Sequence, residues 1–171
     1  MLKTEEMTIR HASLADVEKL AAVEAECFPA AEAATERSIR ERISTYPEHF
    51  WLLEDQGRLV GFVNGMVTEE ADLTDEMYEN AGMHREDGRW QMIFGVDTIP
   101  EYRRRGCAGR LLRQVISDAK AQGRAGVVLT CKDRLVPYYA GFGFQQEGIS
   151  GSVHGGAVWY QMRLSFETES M

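Results

Sequence analysis

Eight consecutive residues, Arg103-Arg104-Arg105-Gly106-Cys107-Ala108-Gly109-Arg110, carry the strongest chemical signal in the chain. Guanidinium groups followed by bare backbone make a place for an anion. Gly106, Ala108 and Gly109 let oxygens approach the amides, and the arginines add full positive charge to the partial charge of a helix start. One charge-assisted hydrogen bond contributes about 1.5–3 kcal/mol, so several together hold a diphosphate tightly. Taken alone, such a string reads more plainly as a solvated arginine run closed by turn glycines. Its setting favours the anion site, because a strand-like run at 90–98 leads into it and a strongly periodic helix follows. The string is neither GxxxxGK[ST] nor GxGxxG, so a pyrophosphate ligand of another kind is required.

Other reactive side chains are sparse. Cys27, Cys107 and Cys131 are odd in number and widely spaced, which suits reduced cytosolic thiols rather than a disulfide framework or a metal motif. No histidine accompanies Cys107 or Cys131, so both read as bystanders rather than nucleophiles. His11, His49, His84 and His154 are scattered, and no metal site is expected. His84 reads as a surface histidine, and Glu24 and Glu26 as the solvated face of a helix.

The elements that must position the arginine-glycine string follow from periodicity. Residues 7–11 alternate as a short strand, and Ser13 with Asp16 resembles a capping box opening a helix with Val17, Leu20, Ala21 and Cys27 on one side. Thr35 caps a second, surface helix carrying Ile39 and Ile43. Residues 50–54 and 58–68, around Asp55-Gln56-Gly57, predict a hairpin. The acidic stretch 69–88 predicts a loop with one helical turn, and 90–98 a strand ended by Pro100. Leu111, Leu112, Val115, Ile116 and Ala119 predict the clearest helix, stopped by Gly123. A short apolar strand at 127–130, a short helix at 135–140, and strands at 142–146 and 157–164 complete an α/β order, with a frayed tail from about 165.

Length and charge bound the rest. A chain of 171 residues with 44% hydrophobic content predicts one domain, 1–171, with a continuous core. A formal net charge of -8 disfavours a polyanion, so no nucleic-acid partner is expected, and the four clustered arginines stand out as a local exception. No run approaches the roughly 18 apolar residues of a membrane span, and the polar MLKTEEMTIR start lacks the apolar middle of a secretory signal. The expectation is a soluble cytoplasmic protein without a membrane partner, monomer or homodimer.

With these residues in view, a resemblance can be named. Residues 103–108 match the [RQ]xxGx[GA] acetyl-CoA loop of the GNAT superfamily, VDTIPEY (96–102) resembles the strand that leads into it, and LTCKDRLVPYYAGFGF (129–144) is similar to the second half of that fold. The likeness spans essentially residues 7–164. Within the superfamily it is nearest to the arylalkylamine N-acetyltransferases, whose first substrate loop resembles CFPAAEAA (27–34) and whose C-terminal motif resembles DRLVPYYAGFGF. Met92 and Phe94 stand where vertebrate members carry two histidines, so a proton route through those histidines is not carried over. The resemblance implies a GNAT-like fold, a mixed, mostly antiparallel central sheet splayed near its middle with helices on both faces.

The implied activity is transfer of the acetyl group of acetyl-CoA to the primary amine of a small molecule, an arylalkylamine or polyamine, by direct attack. A protein N-terminus or lysine as acceptor, or a catalytically silent acetyl-CoA-binding module, are the alternatives. An alkylamine of pKa about 10.4 is neutral only about once in 2,500 molecules at pH 7, so a base or a desolvated acceptor site is expected. The resemblance places Tyr139 as the acid for the departing sulfur, where a phenol of intrinsic pKa about 10 suits a thiolate. Glu32 is the candidate base, although an exposed carboxylate that merely attracts the amine fits it equally well. Phe28 and Pro29 are expected to wall the acceptor pocket, with a loop anchor in the core as the rival reading. Backbone groups of Val96, Asp97 and Thr98 are expected to meet the pantetheine arm, and Arg103, Arg104, Arg105, Gly106, Cys107, Ala108, Gly109 and Arg110 the diphosphate.

Overall fold

Alternation of buried and exposed residues makes β1 (Met7–Arg10) and pairs it with β2 (Phe50–Asp55) in the computed structural model, which describes residues 7–166. The Ser13 amide donates to Asp16 at 2.8 Å, as the capping box predicts, and Asp16 also takes two bonds from Arg10 at 2.9 and 2.7 Å. This corner opens α1 (Val17–Cys27). Thr35 accepts from the Ser38 amide at 3.1 Å and starts α2 (Glu36–Thr45), which buries Ile39, Arg42 and Ile43.

The chain divides into two compact units, one of residues up to Gly65 with Gly95–Val115, the other of Met66–Phe94 with residues from Ile116 onward. In the first, β1, β2, β3 (Arg58–Asn64) and β6 (Gly95–Thr98) form an antiparallel sheet in the order β1-β2-β3-β6. Phe50, Trp51, Leu52 and Leu53 are all buried, so successive side chains of β2 are covered on both faces of this sheet. The Phe50 and Phe62 rings stack at 6.5 Å. Gln56 and Gly57, both with positive φ, close the hairpin between β2 and β3.

The second unit holds β4 (Val67–Thr68), β5 (Trp90–Ile93), β7 (Gly126–Cys131), β8 (Gln145–Ile149) and β9 (Tyr160–Ser165), in the order β4-β5-β7-β9-β8. Only β5 and β7 run parallel in it. Central β7 contains the short run expected at 127–130, extended by one residue at each end and paired on both sides. Within 69–88 the chain forms α3 (Asp75–Glu79) and a 3₁₀ turn, as expected.

Three expectations need correction. The run 58–68 is two strands, because the Gly65 amide turns to the His49 carbonyl and Val67 joins the other sheet. The run 90–98 divides in the same way at Phe94, between β5 and β6. The strand expected at 142–146 begins at Gln145, since the amides of Phe142 and Phe144 bond back to the Tyr139 carbonyl and Gly143 takes φ 101°.

The long helix α4 (Cys107–Ala121) ends as predicted. Gly123 at φ 79° lets Arg124 donate to Ala119 and Gly123 to Lys120, satisfying the last carbonyls. α5 (Val136–Ala140) follows a 3₁₀ turn in the second unit. No helix among the described residues is long and apolar enough to cross a membrane. The frayed tail falls mostly outside the described residues, but Ser165 still belongs to β9 and Phe166 donates to the Ala125 carbonyl.

Candidate active site

The first unit builds a free strand edge and a helix start from one continuous piece of chain. β6 ends its sheet, with β3 on one side only. Asp97 pairs with Phe62, and the next residue on that side, Ile99, donates to Val60 at 2.9 Å. Antiparallel pairing alternates, so the backbone groups of Val96 and Thr98 point to the unpaired edge. The Thr98 carbonyl is not available there, because it accepts from Arg103 Nε at 3.1 Å and from Cys27 Sγ at 3.4 Å. The Val96 amide and carbonyl and the Thr98 amide remain as the open edge groups.

After Thr98 a 3₁₀ turn (Pro100–Tyr102) leads into the arginines. Arg104 at φ 63° and Gly106 at φ 80° turn the chain so that α4 can begin at Cys107. A methyl group at Gly106 would meet nothing within 4 Å, so glycine is wanted there for its backbone angle rather than for space. The first carbonyl to accept within this helix is that of Gly106, from the Arg110 amide at 3.0 Å. The amides of Cys107, Ala108 and Gly109 precede that bond, so no helical carbonyl serves them.

The four arginines do not act alike. Arg103 is folded back on Thr98, and Arg105 lies 5.0 Å over the ring of Tyr102. Tyr102 is itself fixed by donating its hydroxyl to Asp55 at 2.6 Å, and Arg58, paired with Glu101 at 2.9 Å, lies over the other part of this exposed corner. Arg110 departs from expectation, since its guanidinium donates to the Met7 carbonyl at 2.7 Å and ties α4 to β1. Cys107 and Gly109 face inward, and burial pushes the Cys107 thiol up, away from nucleophilic use.

The loop after α1 is also built from this unit. Phe28 caps the helix in extended conformation and is half-buried, and Pro29 is exposed. The Pro29 carbonyl accepts from the amides of Glu32 and Ala33 at 2.8 and 2.9 Å, making a tight turn that leaves Glu32 half-buried. Glu24 departs from the expected solvated face. It is 7% exposed, and its Oε2 accepts from the Ala34 amide at 2.9 Å, pinning the loop from beneath. Glu26 is exposed as expected.

Asp97 is placed differently from the other loop-strand residues. It is 0% exposed, its backbone faces β3, and neither carboxylate oxygen has a hydrogen-bond partner among the described residues. Burial first, and the Glu24 carboxyl beside it second, push Asp97 well above the usual carboxylate range, with Cys27 adding to the rise and Arg42 opposing it. Arg42 spends one donor on Asn64 at 2.9 Å. The sequence offered one signal for this placement, the alternation along β6, which puts Asp97 on the face opposite Val96 and Thr98.

In the second unit, Tyr139 lies on α5, 7% exposed, its ring edge-on to Tyr138 at 5.2 Å and to Phe144 at 6.1 Å. His84 is no surface histidine. Its Nδ1 accepts from the Val67 amide at 3.0 Å, and its Nε2 lies 2.9 Å from Glu86. The half-buried Phe94 ring lies tilted against Tyr78 at 4.8 Å, and Tyr78 lies flat on His154 at 4.7 Å.

Comparison with known proteins accounts for this arrangement. The serotonin N-acetyltransferase of Mesocricetus auratus is 29% identical over 128 residues, covering 74% of this chain and 60% of that protein, so the chain spans less than two thirds of that relative's length. The loading GNATL domain of CurA from Lyngbya majuscula superposes with TM-score 0.80 at 17% identity, over 93% of this chain and 97% of that one. The PaiA N-acetyltransferase of Thermoplasma acidophilum, solved with coenzyme A, superposes with TM-score 0.70 at 16% identity over 94% and 99%. At such identities the two structures speak for the fold alone. The profile of the Acetyltransferase (GNAT) family matches residues 17–144, about three quarters of the sequence, and the chain therefore belongs to that family.

Proposed function

We propose that this protein is an acetyl-CoA-dependent N-acetyltransferase that moves the acetyl group to the primary amine of a small molecule. The observation that carries the proposal is the continuous path from the open edge of β6, through the Arg104 and Gly106 turn, to the unserved amides of α4. A diphosphate fits the amides of 107–109 with Arg104 beside them, and a pantetheine arm, itself an extended chain of amides, fits the Val96 and Thr98 edge. Acetyl-CoA supplies the activated acetyl group. A resident metal has no part in the proposal.

Family membership and the likeness to a serotonin N-acetyltransferase support an arylalkylamine or polyamine as acceptor. The pinned turn at 29–34 supports a compact amine over a peptide, since Phe28 and Pro29 are held in place rather than open as a groove. Tyr139 is proposed, from the resemblance, as the acid that protonates the departing sulfur, and Glu32 as the loop carboxylate that meets the amine. We further propose that residues 1–171 work as one acetyltransferase domain in the cytoplasm, in keeping with three free cysteines.

Calorimetry with coenzyme A tests the cofactor assignment. Binding in the micromolar range is expected, weakened about tenfold or more in Arg104→Ala, in line with the loss of one charge-assisted contact. A screen of amines reading thiol release then identifies the acceptor. Absence of binding in the wild-type protein, or binding unaffected by Arg104→Ala and by Gly106→Val together, sinks the proposal.

A further inference from the structure

The first unit buries two carboxyl groups against each other beneath the strand proposed to hold the acetyl donor. Asp97 Oδ1 and Glu24 Oε1 both lie beside Gly95. A methyl group at that glycine would sit 3.2 Å from the first, 3.8 Å from the second and 3.8 Å from the edge of the Phe28 ring. Asp97 is fully buried with both oxygens unpartnered, and Glu24 is 7% exposed with only Oε2 engaged, by the Ala34 amide. Two ionised carboxyls cannot bond to each other; once one is protonated, the same contact becomes a strong hydrogen bond. The charged or titratable groups that act on Asp97 are Glu24 and Cys27 of α1 and Arg42 of α2, with Arg103 reaching Cys27 from the loop. Arg42 opposes the rise at Asp97, more weakly than burial, Glu24 and Cys27 promote it.

We propose that Glu24 and Asp97 form one proton-accepting pair that deprotonates the incoming amine, with Glu24 receiving the proton and Asp97 holding it from behind. This rests on the acetyl-transfer reading above. Glu24, whose Oε1 and the Phe28 ring edge both lie beside Gly95, is then the catalytic residue, and Asp97 is a positioning residue that never meets substrate. An isolated carboxylate of pKa about 4 is mismatched to an amine of pKa about 10 by some six units, and a pair that binds one proton jointly closes part of that gap. The balance is simple. The ammonium gives its proton to Glu24, the freed lone pair forms the C–N bond, and the C–S bond breaks with its electrons on sulfur. Sulfur takes a proton from Tyr139 as proposed above, the second proton of the nitrogen passes through solvent to restore the phenol, and the pair later returns its own proton to water.

The experiment has one arm that does not depend on activity. Infrared difference spectra of the ligand-free protein between neutral and alkaline pH should show a protonated-carboxyl band that disappears in both Asp97→Asn and Glu24→Gln. The second arm is the pH profile of kcat/KM with one fixed amine. Its acid limb should move down by a unit or more in Asp97→Asn, with kcat lowered about tenfold and KM for acetyl-CoA within twofold. Glu24→Gln, which keeps an oxygen for the Ala34 amide, should lose at least a hundredfold in kcat. A role confined to pinning the loop predicts an unshifted limb in both variants. No carboxyl band in the wild type, or a limb that moves in Glu32→Gln and in neither member of the pair, overturns the proposal. Failure of the wild type to acetylate any amine would instead overturn the function proposed above, leaving the band to decide whether the pair exists.

Discussion

At the scale of the residue, polar groups in this protein are used where their partners are fixed. Tyr139 keeps its ring wedged between Tyr138 and Phe144, so Tyr139→Phe preserves the packing and removes only the hydroxyl. Turnover should fall about 100-fold with cofactor affinity nearly unchanged, a typical loss for a general acid. Turnover equal to wild type in a steady-state assay removes Tyr139 from that role. Asp16 gives a second residue-scale expectation. The Arg10 hydrogen bonds hold its carboxyl below the usual carboxylate range. Its contribution is therefore fully present above the unfolded value near pH 4 and is lost as pH falls through the lowered folded value. Arg10 is 41% exposed, so solvent screens the pair, and Asp16→Asn should cost about 1 kcal/mol at pH 7. The gap between the two unfolding curves should narrow as pH falls below about 4.

At the scale of the element, the two ends of α4 are set by backbone angle. Gly123→Ala meets no atom within 4 Å, so its cost of about 1 kcal/mol comes from φ 79° alone and should appear in denaturant midpoint without a change in slope. A larger cost would mean that packing also matters there. Both ends of this helix were legible in the sequence, because the apolar 3.6-residue period and the flanking glycines are local signals. The strands at 58–68 and 90–98 were legible as strands but not as pairs of strands. Alternation is the same on either side of Gly65 and Phe94, and only the partner changes from one sheet to the other. Glu24 was misread from its charge: helical spacing sets it on the same face as Val17, Leu20 and Cys27, and the Ala34 amide that satisfies its carboxylate lies ten residues on.

At the scale of the whole molecule, the net charge of -8 sets the field that substrates meet. A cationic amine should be drawn in, so at saturating acetyl-CoA its kcat/KM should fall as ionic strength rises toward 0.5 M, where the Debye length shrinks to about 4 Å. An unchanged value for a cationic acceptor, compared with a neutral analogue, would show that the field plays no part in its capture.

By itself the sequence determined the α/β element order, the long helix and the arginine-glycine turn that introduces it, because these depend on neighbours a few residues apart. Tertiary structure decided that Arg103 folds back on the Thr98 carbonyl and that Arg110 reaches the distant Met7 carbonyl. It also decided that Asp97 and Glu24, 73 positions apart, meet in one buried place. Such long-range hydrogen-bond partners, and the desolvation that goes with them, arise only when remote segments pack, whereas the caps at Ser13, Thr35 and Gly123 depend on neighbours within a few residues.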